Sequence, residues 1–173
     1  QLLDTGAHAQ IVEEVAMVLQ RCSMVSPSKI APMHNLPSLH HEDFTRALMQ
    51  LLHGQQAPSR RMGKWLSGLA KWTQETPGWS VCTALPALVL PKRFLCGRRQ
   101  VFAQQARSIQ PDASISDRPS DRSYRAMLRV ATGVRGRLAD AGDKPRDLLD
   151  VRVFVWETLR PKGRKVLEAI GAE

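Results

Sequence analysis

Apolar residues recur at intervals of three and four along most of this chain, and that spacing constrains its fold more than any other feature. Ala7, Ile11, Val15, Val18 and Cys22 form one stripe; Phe44, Leu48, Leu51 and Leu52 a second; Trp65, Leu66, Leu69 and Trp72 a third. Tyr124, Met127 or Leu128, Ala131, Val134 and Leu138 make a fourth. A period near 3.6 places each set on one face of an α-helix. An apolar content of 43% supports a packed core, whereas 5% aromatic residues with a single Tyr is thin for a β-sandwich or barrel. The expectation is an all-α fold, a bundle of about seven to eight helices.

Caps and breakers set the element ends. Asp4 or Thr5 is placed to cap a first helix that runs to about Cys22, and Ser26-Pro27 opens a short helix that Pro37 ends. Ser38 caps Leu39 to His53, with Gly54 as the stop. After a polar connector over 55–59, a helix over 59–74 turns Trp65, Leu66, Leu69 and Trp72 inward and Arg61, Lys64 and Lys71 outward, and Pro77-Gly78 closes it. The apolar run Val81 to Leu90 reads as a buried helix carrying Pro86, although periodicity does not distinguish so short a continuous run from a strand, and Arg98 to Ser108 reads as another helix. Residues 110–119 read as a loop. Ser120 then caps a long helix to about Ala141, and Gly142 terminates it. Asp147 to Leu159 follows Pro145 as a helix, although Val151, Val153 and Val155 also alternate like a strand, so 151–156 is the least determined segment. Pro161 to Ile170 is a basic tail helix with Lys162, Arg164 and Lys165.

Charge is divided unevenly. Residues 1–57 carry 3 Lys/Arg against 5 Asp/Glu, whereas 58–107 carry 9 against 1, within a chain whose formal net charge is +9. This predicts a slightly acidic N-terminal helical subdomain over 1–57 and a basic one over 58–173, joined in one compact unit. Cationic heads beside the flat faces of Trp65, Trp72 and Trp79 suit a polyanion with exposed bases, although tryptophans at helical spacing read first as core. Arg118, Arg122, Arg125 and Arg129, at i, i+4, i+7 and i+11, line up as a cationic ridge. The expected partner is DNA or RNA, held through its phosphate backbone by Arg60, Arg61, Lys64, Arg98, Arg99, Arg118, Arg122, Arg125 and Arg129. The alternative is a scaffold domain docking an acidic protein partner; a distant third is a hydrolase using Asp147 and Asp150 with a divalent metal.

Other motifs weaken on inspection. Leu2-Leu3-Asp4-Thr5-Gly6-Ala7 resembles the active-site signature of retroviral-type aspartic proteases, but helical periodicity follows it where strands and a glycine-rich flap would be required. His40-His41-Glu42-Asp43, with His34 and His53 nearby, lacks the spacing of a metal site and reads as an acidic first helical turn. No acid-x-Lys triplet of a restriction-type nuclease and no phosphate-binding glycine loop occurs among the 11 glycines. Neither catalytic residues nor a cofactor are therefore expected. Cys22, Cys82 and Cys96 are odd in number and embedded in apolar runs, which predicts core thiols in a reducing, cytoplasmic setting. The longest apolar run is far short of the ~20 residues of a membrane span. Gln1 is not an initiator residue, which leaves room for sequence upstream.

From Trp79 to Trp156 the chain also resembles an uncharacterised group of bacterial proteins. The shared elements are Trp79-Ser80-Val81-Cys82-Thr83, the apolar stretch Leu85 to Pro91, the Tyr-bearing segment Tyr124 to Leu128, and Pro145-Arg146-Asp147-Leu148-Leu149-Asp150-Val151-Arg152-Val153-Phe154-Val155-Trp156. Arg152 and Val153 depart from the small polar pair expected there. The resemblance implies a bacterial or phage-derived helical module of a defence or mobile-element system, and it brings no assigned activity with it.

Overall fold

In the computed structural model, which describes residues 7–170, the most apolar segment becomes a helix buried along most of its length. The helices are α1 (His8–Arg21), α2 (Ala31–His34), α3 (His41–His53), α4 (Pro58–Trp72), α5 (Trp79–Val89), α6 (Arg99–Ile109), α7 (Asp121–Asp140), α8 (Leu148–Leu159) and α9 (Pro161–Ile170). Two 3₁₀ turns, Pro27–Lys29 and Ser38–His40, precede α2 and α3. No strand occurs among the described residues, so 151–156 is helical. Asp4, Thr5 and Gly6, with the protease-like string and the expected first cap, lie outside the described residues.

Every residue from Val81 to Ala87 of α5 is buried. Pro86 sits inside this helix, and a proline there offers no N–H to the carbonyl four residues earlier, that of Cys82. The indole Nε1–H of Trp65 donates to that carbonyl at 2.9 Å, so the buried acceptor is satisfied from α4. The adjoining irregular stretch Phe94 to Gly97 is also buried, and side chains satisfy its backbone: Leu95 N–H donates to the Tyr124 hydroxyl (3.0 Å) and Gly97 N–H to Thr83 Oγ1 (2.8 Å). Cys82 and Cys96 are buried here as free thiols, and burial pushes the Cys82 thiol up to about 12.

α7 packs against α4, α6 and α8, while α3 packs against α1 and α4. The turn between α3 and α4, where charge changes sign, joins helices that share one core: the Phe44 and Trp65 rings lie 5.1 Å apart. Ser120 Oγ caps α7 by accepting from Ser123 N–H at 3.3 Å, and Gly142 follows the helix at φ +94°, a left-handed conformation that glycine adopts without penalty. Asp147 caps α8, its carboxylate accepting from the backbone N–H groups of Leu149 (2.8 Å) and Asp150 (3.1 Å).

Three local expectations are corrected, at α1, Ser38 and Arg61, and the stop expected at Gly54 is met for a reason of space. α1 buries Val12, Val15, Ala16 and Leu19, leaving Val18 exposed, because apolar residues cover more than half its circumference and its neighbours choose the phase. Ser38 forms a 3₁₀ turn without capping α3. Gly54 ends α3 at φ −63°, not left-handed; it is needed for space, since a Cβ would lie 2.4 Å from the Gln50 carbonyl oxygen. Arg61 faces inward and is 4% exposed.

Tyr124→Phe leaves the Leu95 N–H buried without an acceptor. It is expected to destabilise the fold by about 1–3 kcal/mol in urea unfolding, with an unchanged m-value.

Candidate nucleic-acid interface

The outer faces of α4 and α7 meet in a basic surface, with Gly63 at the contact. At Gly63 a Cβ would lie 2.8 Å from Asp121 Oδ1, so the missing side chain gives the Asp121 carboxylate room against α4. Arg60, Lys64 and Lys71 of α4 then line a groove of about 730 Å³ with Asp121 and Arg125 of α7, and with Asp43 at its edge. Arg125 and Arg129 continue along α7 beside Ser59 into a smaller groove of about 370 Å³. Arg125 Nε donates to Asp121 Oδ1 at 2.9 Å, and that carboxylate raises the arginine's pKa. Arg122 is exposed on the same helix. Arg118 is exposed too, but lies in the bend before α7, so it extends the basic surface beyond the helix and is not part of a helical ridge.

A second groove, of about 630 Å³, runs between the 23–29 loop, the start of α6, and α8. Lys29, Arg98, Arg99 and Arg152 line it with Asp117. The Arg98 guanidinium lies 3.6 Å above the Trp156 ring, a cation–π stack, while burial and then Arg152 lower its pKa. Arg99 Nε stands 3.1 Å from Asp117 Oδ1. Asp117 lines this groove and Asp121 the other, so Arg118 lies in the stretch of chain that links them and Arg122 just past it, in the first turn of α7.

Of the nine residues expected to meet phosphate, Arg60, Lys64 and Arg125 thus share one groove, Arg129 extends it, Arg98 and Arg99 share the second, Arg118 lies between, and Arg122 lies in the first turn of α7. Arg61 leaves the set: its Nη1 donates to the Leu51 carbonyl at 2.6 Å and its guanidinium lies 5.3 Å from the Phe94 ring centroid. Sequence reasoning missed Lys71, Trp72, Lys29 and Arg152 as lining residues. Lys71 was findable, being seven residues beyond Lys64 on the same helical face, but nothing in the sequence joins Lys29 to Arg152.

The alternative metal-site residues have structural partners. Asp147 is the α8 cap, and Asp150 accepts from the backbone N–H and guanidinium of Arg146, each at 2.9 Å. His41 Nε2 lies 3.0 Å from the Leu36 carbonyl oxygen. Among the described residues no group of three or more His, Cys, Asp or Glu is placed to hold a metal ion, and no helix is long and apolar enough to cross a membrane.

Fold and surface together define an α-helical bundle with two basic grooves flanking the start of its longest helix. Compared with known protein families, curated proteins and solved structures, the chain matches none of them.

The two hydrogen-bonding groups of Arg146 hold the Asp150 carboxyl at about 2, below the ordinary ~3.9 of aspartate. A depressed folded-state value stabilises the protein above the ordinary pKa, and that contribution is lost as pH falls towards 2. Carboxyl NMR titration should show Asp150 with a midpoint near 2, and Arg146→Ala should raise it part of the way towards the ordinary range, since the backbone N–H of residue 146 still donates to the carboxylate, and should reduce this part of the acid sensitivity.

Proposed function

We propose that this protein holds the phosphate backbone of a nucleic acid along the α4–α7 seam, without reading base sequence and without catalysing a reaction. The observation that carries the reading is convergence. Arg60, Lys64 and Lys71 from one helix and Arg125 from another line a single groove, where four cations face only Asp43 and Asp121. A groove walled by low-dielectric protein and lined by excess positive charge concentrates polyanions, and each phosphate bound releases condensed counterions. The second groove and the exposed Arg118 and Arg122 extend the same potential around the start of α7. A bacterial defence or mobile-element setting, implied by the resemblance over 79–156, would supply such a polymer.

A scaffold role is the second reading, and a different surface favours it. α9 buries none of its residues, and its Val166, Leu167 and Ile170 are exposed, as are Val153 and Phe154 of α8. That apolar surface lies on other helices than the basic seam.

Anisotropy with labelled oligonucleotides at about 50 and about 200 mM salt separates the readings. Binding is expected to weaken by orders of magnitude across that range. Joint replacement of Arg60, Lys64, Arg125 and Arg129 by Gln should reduce the slope of log K against log salt by about 3–4, since each phosphate no longer neutralised removes about 0.9. No binding at low salt, or an unchanged slope in the quadruple variant, would overturn the proposal.

A further inference from the structure

Beside the α4–α7 groove lies a smaller and more enclosed space. It is a pocket of about 270 Å³ between α3 and α4, walled mainly by Ala47, Trp65 and Trp72. Asp43, Lys64 and Trp72 line both this pocket and the basic groove, so the two are continuous.

Trp72 is the half-buried tryptophan of α4, and its orientation is imposed from two sides. Its ring lies over Gly68, where a Cβ would come within 2.4 Å of a ring carbon, so the indole rests against the helix only because that residue is glycine. Phe44 meets the ring edge-on at a centroid distance of 6.4 Å and an interplanar angle of 67°. A restrained indole beside a void offers a stacking surface whose side-chain entropy is already largely lost.

Arg61 also lines the pocket, at 4% exposure. Its Nη1 has the Leu51 carbonyl, but its Nε–H has no acceptor, and no carboxylate pairs with it among the described residues. A buried cation with an unpartnered donor is costly to hold, and it leaves positive charge in the wall of the pocket.

We infer that this pocket takes one unstacked base of a single-stranded nucleic acid whose phosphates lie in the adjoining groove. The inference rests on the backbone-binding reading and adds the form of the polymer to it. The base stacks on Trp72, an N–H of the base donates to Asp43, and the neighbouring phosphate meets Lys64. Every base presents a flat face together with acceptors and donors on its edge, so the pocket tolerates any sequence. In a duplex those faces are stacked and those edges paired, so the pocket selects single strands.

Anisotropy on the full chain at one salt concentration tests this, using a mixed-sequence single strand, the same strand carrying abasic positions, and the corresponding duplex. The intact single strand is expected to bind about tenfold more tightly than the other two, with quenching of tryptophan fluorescence. Ala47→Leu fills the pocket without touching a charge. It should abolish that margin while leaving duplex affinity unchanged, with thermal unfolding confirming that the variant is folded. Equal affinity for all three polymers, or an Ala47→Leu protein that keeps the full single-strand margin, would overturn the pocket while salt-dependent binding persisted. Loss of all binding at low salt would overturn the groove reading and the pocket with it.

Discussion

The carbonyl that Pro86 leaves unpaired inside the buried helix governs the placement of α4. An unsatisfied acceptor in that position costs about 1–3 kcal/mol, and the indole of Trp65 removes the deficit by reaching across from α4. With Trp65 turned inward, the rotation of α4 is set. Arg61, four residues earlier, falls on the same buried face, and Trp72, seven residues later, falls at its margin. Arg60, Lys64 and Lys71 face away. That hydrogen bond acts together with the burial of Met62, Leu66 and Leu69 on the same face, and between them they fix which cations of a basic helix meet solvent.

The inward position of Arg61 has consequences. Its hydrogen bond to the Leu51 carbonyl contributes about 1.5–3 kcal/mol and its approach to Phe94 about 0.5–2 kcal/mol, against a desolvation penalty of several kcal/mol for a buried ion. The same hydrogen bond ties the end of α3 to the start of α4, and the guanidinium stem crowds Gly54, 3.1 Å from where its Cβ would be. Arg98 meets its surroundings differently. It lies over Trp156 at the edge of an open groove, where the aromatic face supports the cation and water remains within reach.

α7 organises the surface as α5 organises the core. Its Tyr124, Met127, Val130, Ala131 and Val134 are buried, while Arg122, Arg125 and Arg129 stand outside. Glycine at position 63 makes room for the Asp121 carboxylate where α4 and α7 meet, and charges from the two helices share one groove there, which separate solvated faces would not achieve. Convergent charge in a concave, low-dielectric setting acts on a polyanion far more strongly than the same residues dispersed.

Much of the fold was legible in the order of residues, because local forces determine it. Apolar periodicity marked each long helix, Ser120 and Gly142 marked the ends of α7, and the run Val81 to Leu90 announced a segment apolar on every side. The basic character of the second part of the chain was equally plain. Which face each helix buries was decided by tertiary packing wherever the apolar arc was wide, as in α1, or where a polar residue shares the inward stripe, as Arg61 does. The grooves also belong to tertiary structure. Lys29 and Arg152 lie far apart along the chain, and Gly63 reads as an ordinary weak point of a helix until α7 is laid against it. Helical periodicity and capping depend on neighbours along the chain, whereas a pocket, a buried charge or a shared groove depends on which surfaces meet, and only the packed structure settles that.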